Sequence, residues 1–512
     1  MPSLSEGDAR SLFVARARQV EESFVETPAV PELCRQLDHL PLALELAAAR
    51  TSLFSPEQLL ERLSKRLDLL KGGRDADPRQ ATLRATIDWS YELLAEDERD
   101  LFSALAVFVG GCTFEAAEEV AGADPDTLQS LIDKSLVRRR PSGDRYWMLE
   151  TIREFAAERV AERDDADGLS ARHAFHYASF AERADPYVRH GPDQQAWVGR
   201  VADDYDNIRA AVALGLEREP ALAAEIVGNL TFFLWLRGGF AEAVGWIEAC
   251  LAHADDLPSE TLTRVHECGS AVFQRLSDVD TASRHADEAY RVAAAAGDDR
   301  GLANALRERG KVASAKGETA AIRPIYTELE EVARRADDPW NAAIALNNLG
   351  DLAMNEGSWR DAVDLCGRSS EIRRTMGDIW GSALARLNVA EAQLELGELA
   401  EAAESARTGL AQGEEVGATT IVAWALDCVC VVAVATTRPV DAARVLGAAN
   451  GLHEQLGSTR EGTYEKALIA RTEASLRETL GSAAFEQELA RGGELSRDEA
   501  VALAFSVLDA AA

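Results

Sequence analysis

Histidine and cysteine are the residues of this sequence whose spacing first suggests chemistry. His173 and His176 lie one helical turn apart, as two zinc ligands on one helix face would, but no third ligand with suitable spacing is near. Cys428 and Cys430 are separated by one residue in an apolar run, so on a helix they point to different sides and cannot easily share a metal. The pattern predicts no metal site, and it predicts that these cysteines are buried as small hydrophobic residues.

The polar residues also lack a catalytic grouping. Neither the histidines nor the carboxylates are spaced as a nucleophile, a base and an orienting group, so we assign no catalytic residue. The phosphate-binding pattern G-x-x-x-x-G-K-[ST] is absent from the 512 residues. Without the amides and lysine of such a loop, and without Mg²⁺ ligands, ATP hydrolysis has no chemical basis. The sequence therefore predicts a protein that is not an enzyme and that has no cofactor of its own.

Composition limits the class of protein and its partners. The chain has 87 acidic and 54 basic side chains, and the resulting net charge of −33 repels the phosphate backbone of nucleic acids. Hydrophobic residues make up 47% of the chain but aromatic residues only 6%, which favours helices over sheets. The N-terminal residues do not form a secretory signal, and no run of about 18 uncharged apolar residues follows. We expect an all-α, cytoplasmic protein without a membrane segment.

Three helices and a β-hairpin are predicted between residues 76 and 163. Thr113 can cap a helix that ends at Gly122, and Asp124-Pro125 can open the next helix. Two extended segments, 136–140 and 145–149, then flank the turn residues Pro-Ser-Gly-Asp. Three helices followed by such a hairpin are the pattern of a winged helix.

From residue 230 onward the chain repeats itself with a period of about 40 residues, which is typical of stacked helix pairs. Three sets of identical residues follow that spacing: Gly317, Gly357 and Gly397; Ala362, Ala402 and Ala442; Trp340 and Trp380. The glycine can end the first helix of each unit, and the small alanine lets two helices approach closely. Stacked helix pairs bury an apolar face that a single pair cannot. The register predicts a tetratricopeptide-like α-solenoid of five or six helix–turn–helix units over 230–460, with both tryptophans at equivalent packing positions.

Five segments of the sequence resemble one protein family. They read LPLALELAAARTSLFSPEQLLERL (40–63), TLRATIDWSYELLAEDERDLFSALAVFVGGCTFEAAEEV (82–120), YWMLETIREFAAERV (146–160), AARVLGAANGLHEQLG (442–457) and RGGELSRDEAVALAF (491–505). They resemble the downstream half of bacterial STAND-class signal-transduction ATPases, which are related to NB-ARC proteins and occur in LuxR-type and antibiotic-pathway transcriptional regulators. In that family a P-loop domain precedes a small helical domain, a winged helix and a repeat sensor.

The resemblance and the two patterns together divide the chain into five parts. They are a helical domain resembling the NB-ARC helical subdomain (1–75), a winged-helix domain (76–163), a helical connector (164–229), the repeat solenoid (230–460) and C-terminal capping helices (461–512). The first member of the family order, the P-loop domain, is not recognisable in this sequence.

Two positions match nucleotide-pocket residues of the family. Pro41 matches a proline that packs on adenine in relatives, although His39 replaces the glycine of that motif. Leu149 lies where relatives have a histidine that reaches a diphosphate, and leucine cannot donate that hydrogen bond. The alternative is that Pro41 starts a helix and Leu149 is a core residue of a strand. The resemblance implies ADP or ATP as a cofactor only if a nucleotide-binding domain is supplied elsewhere.

A winged helix also raises the possibility of DNA binding. Four arginines on the hairpin could contact phosphates: Arg138, Arg139, Arg140 and Arg145. However, the helix that would enter the major groove carries Asp126 and Asp133 against the single Lys134. Nucleic acid is therefore an unfavourable partner, and we expect the arginines to cap the wing or to meet acidic neighbours.

The preferred interpretation is a non-catalytic regulatory scaffold in signal transduction or transcription regulation. Its repeats would recognise a protein or peptide, or a small inducer, and its winged helix would relay the signal. The densest polar set on one first helix is the predicted partner-binding surface: Asn341, Asn347, Asn348, Asp351 and Asn355. Two alternatives stay open. One is a truncated or split STAND ATPase whose nucleotide-binding domain lies upstream or in trans, and the other is a DNA-binding transcriptional regulator that uses the winged helix.

Overall fold

The computed structural model of the chain describes residues 4–37, 39–62, 78–141, 143–457 and 463–511. These residues are mainly helical and divide into two compact units, one of residues 1–181 and 200–226 and the other of residues 182–199 and 227–512. The predicted domain edges near 76 and 460 lie outside the described residues, and the division into five domains stays a prediction. None of the described helices combines the length and the apolar character needed to cross a bilayer.

The first unit begins with short helices around one apolar core. They are α1 (Glu6–Val20), α2 (Ala29–Gln36), α3 (Pro41–Ala48), α4 (described over residues 56–62) and α5 (Pro78–Glu92). Ser5 caps α1, since its side chain accepts a hydrogen bond from the Asp8 amide at 3.2 Å. Phe13, Leu33 and Leu44 are fully buried in the core that these helices share.

The winged helix follows in the predicted order. It comprises α6 (Glu96–Ala104), β1 (Cys112–Thr113), α7 (Phe114–Ala121), α8 (Pro125–Asp133), β2 (Arg138–Arg139), β3 (Arg145–Trp147) and α9 (Glu150–Val160). Thr113 and Asp124 cap α7 and α8 through their side chains, and Gly122 ends α7 with a φ of +69°, as predicted. The strands form an antiparallel sheet in the order β1-β3-β2. The hairpin is therefore confirmed, whereas the sequence did not reveal β1.

Further helices precede the regular repeats. They are α10 (Ala166–Arg189), α11 (Gln194–Asp203), α12 (Tyr205–Arg218), α13 (Pro220–Asn229), α14 (Thr231–Arg237) and α15 (Phe240–Leu251). α10, α11 and α13 contribute residues to both units, because the boundaries between the units fall within these three helices.

Regular helix pairs form the repeat array of the second unit. They are α16 (Ser259–Arg275) with α17 (Val279–Ala296), α18 (Asp299–Lys316) with α19 (Thr319–Arg335), α20 (Pro339–Asn355) with α21 (Trp359–Thr375), α22 (Ile379–Glu395) with α23 (Leu399–Glu415), and α24 (Thr419–Ala435) with α25 (Pro439–Leu456). Ala362, Ala402 and Ala442 are fully buried. The predicted all-α fold with a winged helix and an α-solenoid is confirmed.

The turns of the array recur at a regular spacing and share a left-handed backbone. The residues with positive φ at these turns are Ser277, Gly297, Gly317, Asp337, Gly357, Gly377, Gly397, Gly417, Thr437 and Gly457. Glycine adopts this conformation without a steric cost, which explains the glycine register of the sequence. The first and second helix of each pair therefore end in the same kind of turn.

The C-terminal helices that the structure describes pack on the last pair. They are α26 (Thr463–Leu480), α27 (Ser482–Gly493) and α28 (Arg497–Asp509). Leu476, Phe485 and Leu508 are buried in the same core as α24 and α25. The two C-terminal segments that carried the family resemblance meet here, because Gly447 of α25 lies close to the backbone of Gly493, and Gly492 of α27 lies close to the backbone of Arg444.

Candidate functional site

The four arginines of the wing bind acceptors within the first unit. Arg145 is buried and donates two hydrogen bonds of 2.8 Å to the carboxylate of Asp204. Arg140 pairs with Asp203 at 3.0 Å, and Arg138 pairs with Glu45. The fourth, Arg139, donates to the Gly143 carbonyl oxygen at 2.7 Å. The expectation that these arginines meet acidic neighbours or cap the wing is therefore confirmed.

The third helix of the winged helix, α8, presents an acidic surface. Asp126, Gln129 and Asp133 are exposed on it. Lys134, which follows this helix, binds the carboxylate of Glu98. Burial alone would raise the pKa of Glu98, but hydrogen bonds from Lys134, Ser130 and the Ala95 amide together lower it. DNA phosphates would meet carboxylates here rather than free cations.

The two nucleotide-pocket positions lie at helix starts. Pro41 is the first residue of α3, and Leu149 immediately precedes α9 and is half-buried. Proline is favoured at a first helical position because the amide it lacks would have no partner within the helix. The geometry fits the alternative given above for Pro41. The alternative given for Leu149 is wrong, because this residue lies outside β3 and is only half-buried. A nucleotide role for either residue stays a prediction.

The histidine pair and the cysteines are buried parts of the helical packing. His173 lies against Tyr177 with ring centroids 4.8 Å apart, and His176 Nδ1 is 2.6 Å from Glu119 Oε2. All seven cysteines are free and buried, as the sequence predicted for Cys428 and Cys430. In the described part of the chain, no group of three or more His, Cys, Asp or Glu side chains has a geometry that could hold a metal ion.

The predicted partner-binding set on α20 is not one exposed surface. Asn341 is fully buried and donates to Asn304 Oδ1 at 2.9 Å, and it accepts a hydrogen bond from Arg307 at 3.2 Å. Asn347 is also buried. The expected exposure is wrong for these two residues, because a first helix packs against the first helices on both sides. Asn348 donates to the Ile344 carbonyl oxygen within its own helix.

The remaining members differ in their environment. Asn355 is exposed and donates to the carbonyl oxygen of Asp351. Asn347 and Asp351 come together with Asn388 of the next first helix, whose amide donates to Asp351 Oδ1 at 2.8 Å and to Asn347 Oδ1 at 3.3 Å. A partner-binding role for the five residues stays a prediction.

Trp340 and Trp380 are both the second residue of a first helix, in α20 and α22. The ring of Trp340 packs edge-on against Phe232 and lies 4.9 Å from the guanidinium of the buried Arg307. Trp380 is 43% exposed and contacts Trp424 with ring centroids 6.3 Å apart. The prediction that the two tryptophans occupy equivalent positions in their repeats is thus confirmed. Trp340 is a packing residue as expected, whereas Trp380 is exposed.

A cavity of about 190 Å³ lies between three successive first helices, α20, α22 and α24, and the C-terminal helix α26. Its polar lining is Asn347, Asp351, Asn388, Glu391, Asp427 and Glu465, and its apolar lining is Leu384, Leu387, Trp424, Leu468 and Ile469. We call it the acidic cavity, because four of these side chains are carboxylic acids and none is a lysine or an arginine.

The carboxyl groups of the acidic cavity have different partners. Asp351 accepts hydrogen bonds from neutral amides, and Asp427 Oδ2 is 3.0 Å from His453 Nε2. Glu391 is buried; its Oε1 accepts a weak hydrogen bond from Cys428 Sγ at 3.7 Å. Its Oε2 is buried and has no hydrogen-bond partner among the described residues. Such an atom is unusual, because buried polar atoms are almost always hydrogen-bonded.

Burial and neighbouring carboxylates raise the pKa values of Asp351 and Glu391. Burial, with a further contribution from Glu465, raises the pKa of Asp351 to about 7. Burial also raises the pKa of Glu391 well above its ordinary value, and the neighbouring carboxylates Glu465, Asp427 and Asp351 add to this effect. The site thus concentrates acidic groups that disfavour one another's charged forms.

Sequence reasoning included Asn347 and Asp351 but missed Glu391, Asp427 and Trp424. One signal was available for Glu391, which has the same position in its repeat as Asp351 has in the preceding repeat. Asp427 and Glu465 gave no such signal. The residue 40 positions before Asp427 is Leu387, and Glu465 lies on α26, which is not part of the repeat.

Known proteins match this chain in sequence and in fold. Residues 94–161 match the winged helix-turn-helix domain. A Mycobacterium tuberculosis H37Rv protein named "Putative HTH-type transcriptional regulator Rv0890c" is 34% identical over 358 residues, which cover 65% of this chain and 40% of that protein. A second protein of that organism, "Uncharacterized protein Rv0894", is 39% identical over 193 residues, which cover 34% of this chain and 49% of that protein. The chain spans less than half the length of these relatives.

Among solved structures, a similar fold occurs in PH0952 from Pyrococcus horikoshii, a signal transduction ATPase with numerous domains (STAND) protein with a tetratricopeptide repeat sensor. The match has a TM-score of 0.50 and 15% sequence identity, and it covers 95% of this chain and 74% of that protein. At this identity the likeness shows the fold alone.

Proposed function

We propose that the chain is the sensing and relay part of a STAND-class transcriptional or signalling regulator and has no catalytic centre of its own. In this proposal the repeats receive a ligand, either a protein or peptide or a small inducer, and the winged helix relays its presence to an output partner. The similarity to a protein named as an HTH-type transcriptional regulator and the fold shared with a STAND protein support this proposal. The ATPase domain of such a regulator would be supplied elsewhere.

One observation carries the proposal: the cations of the winged helix are already bound within their own unit, whereas the acidic cavity of the repeats concentrates carboxyl groups. Arg145 and Arg140 are paired with Asp204 and Asp203, and α8 exposes Asp126 and Asp133. These contacts favour a winged helix that packs within its own protein over one that reads DNA. The repeat face, by contrast, has the charge to attract a positively charged ligand.

The test compares the transcriptomes of three strains made from a bacterium that carries this gene. One strain has the gene deleted, and one has an in-frame deletion of residues 379–418, which removes α22 and α23 between equivalent turns. The third carries Glu401→Gln, an exposed position on α23, as the control. We expect the first two strains to alter an overlapping set of transcripts and the control to match the wild type.

Western blotting and limited proteolysis establish that the shortened protein is present and folded, since a repeat array tolerates the loss of one unit better than a single-core domain does. Unchanged transcripts in the gene-deletion strain, under conditions in which the wild type makes the protein, would overturn the proposal.

A further inference from the structure

We propose that the acidic cavity binds an alkylammonium group. This inference rests on the proposed function, because it names the chemistry of the ligand that the repeats receive. It follows from three features of the cavity: a concentration of carboxyl groups, a buried acceptor without a partner, and walls that suit an alkyl chain.

The first feature is the balance of charge. The cavity brings together one carboxyl group from each of four helices: Asp351 from α20, Glu391 from α22, Asp427 from α24 and Glu465 from α26. Among the described residues, no lysine or arginine lines the cavity. His453 of α25 contacts Asp427 at 3.0 Å, and the nearby Arg373 is already paired with Asp378 at 3.1 Å. Such a site favours a cationic guest over an anionic or neutral one.

The second feature is the unused acceptor. Glu391 is 9% exposed and lines the cavity, and its Oε2 has no hydrogen-bond partner in the part of the chain that the structure describes. Leaving a buried carboxylate oxygen unbonded costs free energy, which a donor from a ligand would recover. An ammonium group has three N–H donors and can satisfy Glu391 together with a second carboxylate.

The third feature is the shape and character of the walls. Trp424 forms one side, and an aromatic ring attracts a cation that lies over its face. Leu384, Leu387 and Leu468 supply an apolar surface for methylene groups. The volume of about 190 Å³ is close to the roughly 150 Å³ of an apolar protein cavity that holds benzene. A short alkylamine fits this volume, whereas a folded protein surface does not.

The raised pKa values of Asp351 and Glu391 are consistent with this view. Both carboxyl groups take up protons more readily than usual because burial and neighbouring carboxylates disfavour their charged forms. A bound ammonium would favour the charged forms again. Binding near neutral pH should therefore release protons from the protein.

Two sources could supply the group: a free small amine, or the lysine side chain of a peptide. Both present the same ammonium at the end of a short alkyl chain. The experiment is isothermal titration calorimetry of the full chain with n-butylammonium chloride, with butan-1-ol as the uncharged analogue, and with the peptide acetyl-Gly-Lys-Gly-amide. Each titration is run in two buffers of different ionisation enthalpy, so that proton release can be measured.

We expect n-butylammonium to bind at least about tenfold more tightly than butan-1-ol, with release of protons, because hydrogen bonds to charged groups are the stronger ones. Tighter binding of the peptide than of n-butylammonium would also support the proposal and would assign a lysine side chain as the source. Equal binding of butan-1-ol and n-butylammonium, or no detectable binding of any probe at millimolar concentration, would overturn it.

Variants separate a ligand-binding role from a structural one. Glu391→Gln keeps the shape of the side chain and removes its charge, and we expect it to weaken n-butylammonium binding about tenfold and to reduce proton release. Glu401→Gln, the same change at an exposed position on α23, is the matched control and should bind as the wild type does. Unchanged binding in Glu391→Gln would contradict the proposal.

Trp424→Leu is the second variant in case Glu391→Gln does not fold. It keeps an apolar wall but removes the aromatic face, and a several-fold loss for n-butylammonium with no loss for butan-1-ol is expected. These measurements are independent of the transcriptome test. Failure of amine binding with an intact transcript response would reject only the ligand class, whereas amine binding without any transcript response would reject the regulatory function.

Discussion

At the scale of single residues, burial controls the protonation of His173 in the first unit. The ring of His173 is buried against Phe108 and Tyr177, and its Nε2 lies 3.4 Å from Asn207 Oδ1. Burial lowers the pKa of His173 to about 4, and the hydrogen bond to Asn207 opposes this shift only in part. The folded protein therefore holds this histidine in its neutral form.

The stability of the first unit should consequently fall in acid. Because the folded pKa of His173 is below its ordinary value, the unfolded chain takes up the proton first as the pH falls from about 6.5. The contribution of the neutral His173 to the free energy of unfolding is fully present above about pH 6.5. It falls by up to about 3 kcal/mol as the pH falls toward 4. The NMR signal of the His173 ring is assigned by its absence in His173→Gln. We expect its pH titration to have a midpoint near 4. A midpoint near 6.5 would contradict this account.

Thr437 is a strained residue in the repeat turns. Its φ is +57°, whereas Gly397, Gly417 and Gly457 at equivalent turns have φ of +74°, +64° and +60°. A left-handed backbone costs an ordinary residue about 1–2 kcal/mol, and the extra freedom of glycine in the unfolded chain costs about 0.5–1 kcal/mol. The cost of the left-handed backbone is therefore the larger of the two.

Thr437→Gly should therefore raise the free energy of unfolding by up to about 1 kcal/mol. Thr437 is exposed, so the substitution removes little packing. Thermal unfolding followed by circular dichroism measures the change, and Gly417→Thr at the preceding turn serves as the reverse control, with a lower midpoint expected. A lower midpoint for Thr437→Gly would show that the threonine is not strained.

At the scale of elements, a close approach between α25 and α27 holds the C-terminal helices on the last repeat pair. A methyl group on Gly492 would overlap the backbone of Arg444, whereas one on Gly493 would lie 3.8 Å from the Gly447 carbonyl oxygen. Two adjacent glycines of one helix thus face different amounts of space. The difference allows a matched pair of substitutions.

We expect Gly492→Ala to destabilise the second unit by about 1–3 kcal/mol, because the two backbones must move apart. Gly493→Ala should be neutral, or stabilising by up to about 1 kcal/mol, since alanine favours a helix more than glycine does. Urea unfolding of both variants measures the difference. Equal effects of the two substitutions would mean that the close approach does not contribute to stability.

The helix pairs could be predicted from the sequence, and the cavity could not, for identifiable reasons. Glycine recurs at the turns between helices because each turn requires a left-handed backbone, and alanine recurs once per repeat because each pair requires a small buried contact. By contrast, β1 has two residues and no pattern of its own. The partner of Arg145 lies 59 residues away, and α26, which closes the acidic cavity, is not part of the repeat. Such contacts depend on how elements pack.

The expected exposure of Asn341 was wrong for a related reason. Periodicity places Asn341 on a first helix but does not show which neighbours cover it. In the structure, Asn304 and Arg307 of the preceding first helix bind its side chain. A polar residue in a repeat array can therefore be part of a buried network, where its loss would affect folding rather than binding.

At the scale of the whole molecule, the account predicts that the purified chain does not turn over ATP. The reason is chemical, because the sequence contains no phosphate-binding loop. Phosphate release with ATP and Mg²⁺ should equal that of a control without protein. Release that stays proportional to the concentration of the chain through successive purification steps would contradict the prediction.

The net charge of −33 should also shape how the molecule meets its partners. Long-range attraction of a basic ligand to such a surface decreases as salt shortens the Debye length to about 8 Å at physiological ionic strength. Under the proposal, recognition at working salt concentrations would then come from contacts inside the repeat face, such as those of the acidic cavity.

Photo-crosslinking in living cells from three exposed positions distinguishes ligand binding by the repeats from DNA binding by the winged helix. A photoreactive amino acid replaces Asn355 on the first helix α20, Asp364 on the second helix α21, or Asp126 on α8. We expect protein or small-ligand adducts at Asn355, none at Asp364, and no DNA adduct at Asp126. DNA adducts at Asp126 together with no adduct at Asn355 would contradict it, because the winged helix would then be the binding surface and the repeats would not.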